Sequence, residues 1–279
     1  MFPAEDGGCS HRGGSALKTL LIRPGAIGDC IVSLPALEHL RTGFTEVWVP
    51  SAVEPLIRFA DRVESIASTG LDMVAIRAPE RTMARLTEFD RIISWYGTRH
   101  DEFRAAVRGL PFTFHAALPT GDTRHAVDYF AAQVGAPMGL TPRIAVGHME
   151  QRESIVIHPF SGSAKKNWPL ERFCQLAAAL PAKVEWTAGP EEDLPGALRF
   201  ADLFELGRWL AGARGYVGND SGISHLAAAV GTPVVALFRA PNSAVWSPRP
   251  SHVRLVSDET RISALFPLFG FAYGGREED

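Results

Sequence analysis

The chain has 279 residues, of which 46% are hydrophobic and 21% are charged, so it is long enough for one large or two ordinary domains and has the composition of a soluble globular protein. A formal net charge of −3 excludes a general attraction to nucleic acid or to anionic membranes, and leaves only a local patch for such contacts. The three cysteines form no CxxC pair, and their odd number favours a reducing, cytoplasmic compartment over a secreted one.

Residues 1–16 form the first distinct segment. They are rich in glycine and polar residues, and they lack both hydrophobic periodicity and the apolar core of a signal peptide, which predicts a disordered leader. Elsewhere the most apolar stretches are interrupted by charge or by proline before they reach the ~20 residues needed to span a bilayer. We therefore expect a protein that is at most peripheral to a membrane.

Residues 17–148 alternate between short apolar runs and helical periodicity. A buried strand is predicted at 19–22, and apolar residues from Ile31 to Leu40 recur at helical spacing, with Gly43 as the stop. The further predicted elements are strands at 46–49, 91–95 and 114–118 with arginine-bearing helices between them, and a helix at 125–134. A strand followed by a helix is the repeating unit of an α/β domain.

A second cycle begins after 139–153, where the apolar pattern weakens and charged residues cluster. Its predicted elements are a strand at 154–158, a polar glycine loop at 159–167, a helix that starts at Pro169, and strands at 183–187, 215–218, 233–238 and 253–256. We therefore predict two doubly wound Rossmann-like domains, 17–148 and 149–279, that face a central cleft. The last part of the chain can return to the first domain.

Two glycine-containing turns, 23–29 and 218–225, have the same character. Each follows a short β-branched strand and opens a helix. Unpaired backbone N–H groups at the positive end of a helix are well placed to bind phosphate or developing negative charge. The two turns therefore predict the two halves of one anion-handling cleft, in an enzyme that acts on a phosphorylated substrate.

Three segments carry a resemblance to a known family. They read LLIRPGAIGDCIVSLPALEHLR, IHPFSGSAKKNWPLERFCQLA and GYVGNDSGISHLAAAVGTPVVALF. In order and spacing they resemble the signature segments of glycosyltransferase family 9, the heptosyltransferase-like enzymes of bacterial lipopolysaccharide synthesis. The resemblance implies a GT-B fold, with an acceptor-side first domain and a second domain that binds a nucleotide-diphosphate sugar, usually ADP-heptose. It also implies inversion at the anomeric carbon, no metal ion and no cofactor.

Asp29 follows Gly28 at the start of a predicted helix. A carboxylate there commonly caps the helix or complements its dipole, for ~0.5–2 kcal/mol. The resemblance implies that the matching aspartate is the general base that takes the proton from the acceptor hydroxyl, and that Gly25 and Gly28 let the sugars approach the backbone. We predict Asp29 as the catalytic base and Gly28 as a donor-binding position.

The polar loop before the second-domain helix supplies the next candidates. A lysine and hydroxyls there could neutralise a diphosphate leaving group, although exposed lysines usually need no explanation. The family has a lysine two residues before its Trp-Pro, which corresponds to Lys166, whereas counting from His158 gives Lys165. We predict donor contacts at Ser161, Ser163 and Lys166, and keep Lys165 as the alternative.

The turn before the next helix is the third group. Its residue types are also the commonest in a turn with a helix cap, and a buried, hydrogen-bonded histidine is an alternative reading of His225. The resemblance implies that amides near Ser221 and Gly222 meet the phosphate. It also implies that Asp220 contacts sugar hydroxyls and that His225 supports the phosphate side. The predicted donor contacts are Asn219, Asp220, Ser221, Gly222 and His225.

The turn Gly189-Pro190-Glu191-Glu192 corresponds to an acidic turn that contacts the nucleotide in the family. Either glutamate can bind the ribose, and we predict Glu191 with Glu192 as the alternative.

Metal chemistry has little support in the sequence, which contains no Asp-x-Asp, no HExxH and no cysteine cluster with zinc spacing. Helix ends and Lys166 would then stabilise the leaving diphosphate.

Acceptor contacts are predicted at Arg99 and His100, which follow the carboxyl end of a predicted strand and so face the cleft. The other first-domain arginines either dock an acidic, phosphorylated glycolipid or form solvated helix faces, since acidic residues are interleaved with them. They are Arg77, Arg81, Arg85, Arg91, Arg104 and Arg108. A glycolipid acceptor would allow peripheral contact with the cytoplasmic face of the inner membrane.

The chain departs from the family pattern in three ways. It is shorter than usual, Phe160 stands where a glycine is typical, and Phe238 is followed by Arg239 rather than by glycine. The predicted function is an inverting, metal-independent transfer of heptose from ADP-heptose to a lipopolysaccharide-core type acceptor. The alternatives are a GT-B transferase of another nucleotide sugar or acceptor, a nucleotide-sugar epimerase, and a non-catalytic nucleotide-sugar-binding module.

Overall fold

Two parallel five-stranded sheets organise the protein. The computed structural model describes residues 16–121, 123–238, 243–257, 260 and 262–271. The predicted leader lies outside the described residues except for Ala16, and the predicted departure at Arg239 also lies outside them. The predicted α/β class with two sheets is confirmed.

The first sheet forms because its central strands are apolar on both faces, so that Leu20, Leu21 and Ile22 are fully buried. Its strands are β1 (Lys18–Ile22), β2 (Phe44–Val49), β3 (Arg62–Ser65), β4 (Arg91–Ser94) and β5 (Phe112–Phe114). In space their order is β3-β2-β1-β4-β5. The helices are α1 (Ile27–His39), α2 (Ile66–Thr69), α3 (Val74–Arg77), α4 (Glu80–Leu86), α5 (Asp101–Ala106) and α6 (Ala126–Gln133), with 3₁₀ helices at Ser51–Leu56 and Leu71–Met73.

The second sheet repeats this arrangement around Ile155, Val156 and Ile157, which are also fully buried. Its strands are β6 (Arg152–His158), β7 (Val184–Trp186), β8 (Ala213–Asn219), β9 (Val234–Leu237) and β10 (Val253–Val256). Their order in space is β10-β9-β8-β6-β7. The helices are α7 (Leu170–Ala179), α8 (Leu203–Ala211), α9 (Gly222–Ala229) and α10 (Ser243–Trp246), with 3₁₀ helices at Ala164–Lys166 and Ile262–Phe269.

The strand predicted at 114–118 is wrong, because the chain pairs earlier, at Phe112–Phe114. The neighbouring strand ends at Ser94, whose carbonyl accepts the last hydrogen bond of this edge from the His115 amide at 2.9 Å. Beyond that point the chain has no strand partner, so the apolar residues that follow lie in a loop. Sequence reasoning also missed β3 and α8, since neither was predicted as an element.

A continuous apolar core joins the two domains. Helix α1 packs against both α6 and α9, and the buried cluster around Ile31 and Leu34 includes Leu226 and Ala227 of the second domain. The segment near Arg249 also contacts the first domain, through an ion pair with Asp128 at 2.5 Å. By contrast, the 3₁₀ helix at Ile262–Phe269 packs on the second sheet, where Leu265 belongs to the cluster around Ile157 and Trp168. Among the described residues, no helix has the length and apolar character required to cross a membrane.

Candidate active site

The order of strands reverses once in each sheet. In the first sheet this happens between β1 and β4, and in the second between β6 and β8. In open parallel sheets ligands bind in the crevice beyond the carboxyl ends of such a pair of strands. The loops at these points carry the predicted acceptor residues, the predicted catalytic aspartate and most of the predicted donor residues.

The amino ends of α1 and α9 touch each other across the two domains. A Cβ atom added at Gly28 would lie 3.1 Å from Cδ2 of His225, and one added at Gly222 would lie 2.7 Å from Cβ of Ile27. It would also lie 3.1 Å from the Gly28 nitrogen. Glycine is therefore what allows the two helix ends to approach, and the structure brings the two predicted anion-handling turns together.

Asp29 is half-buried in the first turn of α1. Its Oδ2 accepts a hydrogen bond from the backbone N–H of Ala26 at 3.1 Å, as the acidic residue of a capping box does. The residue at the N-cap position is Ala26, whose methyl side chain cannot cap, so Asp29 supplies the side-chain contact at this end. The capping role is compatible with a second role toward a ligand, since a carboxylate has several acceptor sites.

Lys166 and Asp220 bridge the switch point of the second sheet. The Nζ of Lys166 lies 2.7 Å from Oδ2 of Asp220, and the Asp220 side chain is only 12% exposed while that of Lys166 is 44% exposed. Lys165, in the same short helix, is exposed. Of the two lysines that the sequence left open, the structure thus brings Lys166 to the other donor candidates.

Asn219 is fully buried, and its side-chain amide forms hydrogen bonds within the protein. Its Oδ1 accepts from the Trp168 backbone N–H at 2.8 Å, and its Nδ2 donates to the Pro159 carbonyl at 2.7 Å. Asn219 therefore fixes the loop after β6 to the end of β8, where it positions neighbouring donor candidates. Ser161 is similarly occupied, since its hydroxyl donates to Asn167 Oδ1 at 2.7 Å.

The amino end of α9 is held by hydroxyl groups. Ser221 is the N-cap, and its Oγ accepts from the Ser224 N–H at 3.4 Å. The Ser224 hydroxyl donates to the Asn219 carbonyl at 2.5 Å and lies 3.3 Å from the buried Tyr216 hydroxyl. The N–H groups in the first turn of an α-helix point toward its amino end, which in α9 lies beside Gly28.

His225 is buried beside Gly28, one turn into α9. Burial lowers the pKa of His225 to about 4, although Asp220 and a hydrogen bond to the Trp246 backbone act in the opposite direction. The ring is therefore neutral at pH 7, and it can serve a phosphate only as a hydrogen-bonding group and not as a cation.

Glu192 is the better placed of the two glutamates in the acidic turn. Its Oε2 lies 2.9 Å from Nε2 of His158 and accepts from the Gly189 N–H at 2.6 Å. Burial raises the pKa of Glu192, but the hydrogen bonds from His158 and Gly189 outweigh this, so the carboxyl is held below its usual range. Glu191 is exposed.

Arg99 and His100 lie in the loop after β4, at the switch point of the first sheet, and both are exposed. His100 Nδ1 is 3.4 Å from Glu102. One member of the wider arginine group, Arg85, is largely buried in ion pairs with Glu46 and Glu64. Arg85 is therefore a structural residue of the first domain and is not available to dock an acidic acceptor.

Within the described part of the chain there is no group of three or more His, Cys, Asp or Glu residues that could hold a metal ion.

Comparison with known proteins finds similarity to one family and one fold. The sequence model of "Glycosyltransferase family 9 (heptosyltransferase)" matches residues 193–264. The chain resembles glycosyltransferase family 9. It is 31% identical to lipopolysaccharide heptosyltransferase 3 of Escherichia coli over a segment that covers 34% of this chain and 33% of that protein, so the match spans about a third of the curated relative.

The fold of this family 9-like chain is GT-B, as judged from solved structures. A family 9 glycosyl transferase from Veillonella parvula DSM 2008 is 19% identical, with a TM-score of 0.69 and coverage of 86% of each chain. The E. coli heptosyltransferase WaaC with ADP-2-deoxy-2-fluoro heptose is 17% identical, with a TM-score of 0.62 and coverage of 86% of this chain and 93% of that one. The GT-B fold predicted from the sequence is confirmed.

Sequence reasoning missed two features of this family 9-like chain. The pairing of His158 with Glu192 joins the end of β6 to the turn after β7, and only the parallel pairing of these strands brings the two together. Arg23 is fully buried beneath the first glycine turn. Its position directly after a strand and before Pro24 and Gly25 was a signal, but a charged residue at a strand end is usually exposed.

Proposed function

We propose that the chain is an inverting, metal-independent glycosyltransferase that transfers a heptose from ADP-heptose to an acidic glycolipid or glycan of the lipopolysaccharide-core type. The nucleotide sugar is a co-substrate, and no cofactor takes part. The reaction would occur in the cytoplasm, with peripheral contact at the inner membrane where a lipid-linked acceptor is presented.

The observation that supports this proposal most strongly is the contact between Gly28 and Gly222. It brings the positive ends of α1 and α9 together, with Asp29 in the first turn of α1 and the Lys166–Asp220 ion pair directly before α9. Two helix ends and a lysine suit a diphosphate, and a carboxylate in the same cleft suits an acceptor hydroxyl. The relative solved with an ADP-heptose analogue has the same fold, which supports the choice of donor.

In the proposed reaction Asp29 accepts the proton of the acceptor hydroxyl as its oxygen attacks the anomeric carbon. The bond from that carbon to the diphosphate oxygen breaks, and the electron pair leaves with ADP. Because attack comes from the face opposite the leaving group, the configuration inverts. Lys166 and the amides at Ser221 and Gly222 stabilise the charge that develops on the diphosphate.

We assign the ribose, the donor sugar and the acceptor to separate loops. Glu192, held by His158 and Gly189, is proposed to bind the ribose in place of Glu191, and Asp220 to bind donor sugar hydroxyls while it orients Lys166. Arg99 and His100, which lie beyond β4 on the first-domain side, are proposed to contact the anionic groups of the acceptor.

The test is a thermal-shift panel of ADP-heptose, ADP-glucose, UDP-glucose and GDP-mannose, followed by transfer to deacylated core oligosaccharide, with product mass and anomeric configuration measured. The expected result is stabilisation by the ADP sugars and a product heavier by one heptose. A preference for another nucleotide or sugar would assign a different transferase. An altered sugar nucleotide without acceptor would indicate an epimerase, and binding without turnover would indicate a non-catalytic module.

A further inference from the structure

Arg23 lies directly after β1 and is 1% exposed, although arginine is rarely buried without a charged partner. Its guanidinium donates to neutral oxygens, from Nε to Ser33 Oγ at 3.0 Å and from Nη2 to the Asp29 carbonyl at 2.9 Å. Nη1 donates to the Pro24 carbonyl at 2.5 Å, and Cζ lies 4.6 Å from the centre of the Phe130 ring. Among the described residues these contacts satisfy the buried cation without an ion pair.

The two carbonyl contacts hold both ends of the turn that carries Asp29. Between them lies Gly25, whose φ of 127° is a conformation that other residues rarely adopt. A Cβ atom added at Gly25 would lie 3.1 Å from Asp29 Oδ2 and 3.4 Å from Arg23 Nη1, so the carboxylate and the guanidinium face the same point. A glycine turn has little stiffness of its own, and the guanidinium beneath it supplies that stiffness.

We infer that Arg23 is a positioning residue that clamps residues 24–29 so that the Asp29 carboxylate keeps its direction into the cleft. The inference rests on the proposed function, in which Asp29 accepts the acceptor proton. Misplacement of a reacting group by about 1 Å can cost ~10²-fold in rate. Loss of the clamp should therefore reduce turnover, whereas donor binding on the second domain should change little.

The first experiment compares Arg23→Met with Arg85→Met. Methionine fills the space of the arginine stem but makes none of its hydrogen bonds. For Arg23→Met we expect kcat to fall about 10- to 100-fold while the KM and Kd for ADP-heptose stay near wild type. Arg85 is a first-domain arginine paired with Glu46 and Glu64, far along the chain from the turn, and its variant should lose stability but keep kcat. Normal turnover in Arg23→Met would overturn the inference.

A double-mutant cycle separates an effect through Asp29 from general damage to the domain. In an Asp29→Asn background the base is already absent, so Arg23→Met should cause no further loss of kcat. If the two losses multiply instead, Arg23 acts independently of Asp29 and the inference is wrong. Arg23→Lys keeps the charge on a single ammonium that cannot reach all three oxygens, and it should fall between Met and wild type.

A substrate-free measurement keeps the inference testable if the proposed reaction itself fails. The Ala26 N–H donates to Asp29 Oδ2, so its hydrogen exchange, followed by NMR, reports whether the carboxylate holds its place. In Arg23→Met, and in Arg23→Lys if the methionine variant does not fold, we expect faster exchange at Ala26 than in wild type, with α9 amides unchanged. Unchanged exchange at Ala26 would overturn the positioning role whatever the chemistry of the cleft.

Discussion

Lys166 and Asp220 form an ion pair across the switch point of the second sheet, with Nζ 2.7 Å from Oδ2. Asp220 directly precedes Ser221, the N-cap of α9. Its carboxylate therefore holds the Lys166 ammonium near the amino end of that helix even without a ligand. A phosphate that reaches the helix end would meet an ammonium that is already oriented, which lowers the entropy cost of binding.

Lys166→Ala should weaken the binding of ADP-heptose and of free ADP alike, by ~1.5–3 kcal/mol, because a charge-assisted hydrogen bond to phosphate is lost in both complexes. Titration calorimetry measures both affinities. Lys165→Ala is the matched control, since its side chain is exposed and should leave both affinities near wild type. A larger loss in Lys165→Ala than in Lys166→Ala would show that the loop is assigned in the wrong register.

Asp29→Asn should reduce turnover by at least ~10²-fold, since general base catalysis typically contributes 10²- to 10⁴-fold. Thermal stability and donor affinity should stay near wild type, because asparagine can still accept the hydrogen bond from Ala26. Asp29→Ala should show the same loss of rate together with a loss of stability of ~0.5–2 kcal/mol. An asparagine variant that unfolds easily yet turns over normally would identify Asp29 as a structural cap only.

Transfer should persist in excess EDTA, because the proposed reaction stabilises the leaving diphosphate with α9 and Lys166 rather than with a divalent ion. The measurement is the initial rate before and after chelation. Loss of activity that magnesium or manganese restores would contradict the proposal, whereas loss that neither metal restores would point to an effect of the chelator on the protein.

Gly222→Ala should reduce both stability and turnover, because the new methyl would lie 2.7 Å from Cβ of Ile27 and 3.1 Å from the Gly28 backbone, which cannot move aside as a side-chain tip can. Overpacking of this kind costs ~1–3 kcal/mol, and separation of the two helix ends by about 1 Å can cost ~10²-fold in rate. Gly109→Ala is the control, since among the described residues no heavy atom other than those of its chain neighbours lies within 4 Å of the added Cβ. Equal melting temperatures and rates for the two variants would refute the close approach.

Stability should fall as the pH falls from 6.5 toward 4, in part through His225. Its pKa is lowered from an ordinary value of 6.5 to about 4, so in this window the unfolded chain binds a proton that the folded protein excludes. The stabilisation is complete above pH 6.5 and is lost toward pH 4, with a maximum of ~3 kcal/mol. Urea denaturation of wild type and His225→Gln at pH 7 and 4.5 measures the difference. Parallel losses in both proteins would assign the pH dependence to other groups.

The first glycine turn and the second were predictable because glycine, a following carboxylate or hydroxyl, and a preceding apolar strand all occur within a few residues of each other. Asn219 shows where this local reasoning stops. Its residue type fits a ligand contact as well as a structural one, and only the pairing of β6 with β8 brings Pro159 and Trp168 within reach of its amide. The choice between Glu191 and Glu192 also depends on a contact between residues that are distant in the sequence, because His158 pairs with Glu192.

Errors in the strand predictions also have a physical cause. The run 114–118 is apolar enough for a strand, but β4 offers no further hydrogen-bonding partners after Ser94. Arg85 illustrates the same limit for charge, because the sequence gives its sign but not the two carboxylates that β2 and β3 present to it. Both the end of β5 and the burial of Arg85 are therefore decided by pairing partners that are distant in the chain.

The apolar core that runs from Ile31 through Leu226 has a consequence for how the protein comes apart. Neither half can be exposed alone without placing part of this shared cluster in water, and the ion pair between Asp128 and Arg249 would break in the same step. Heat or denaturant should therefore melt both halves together, in a single cooperative transition, instead of releasing one intact lobe before the other.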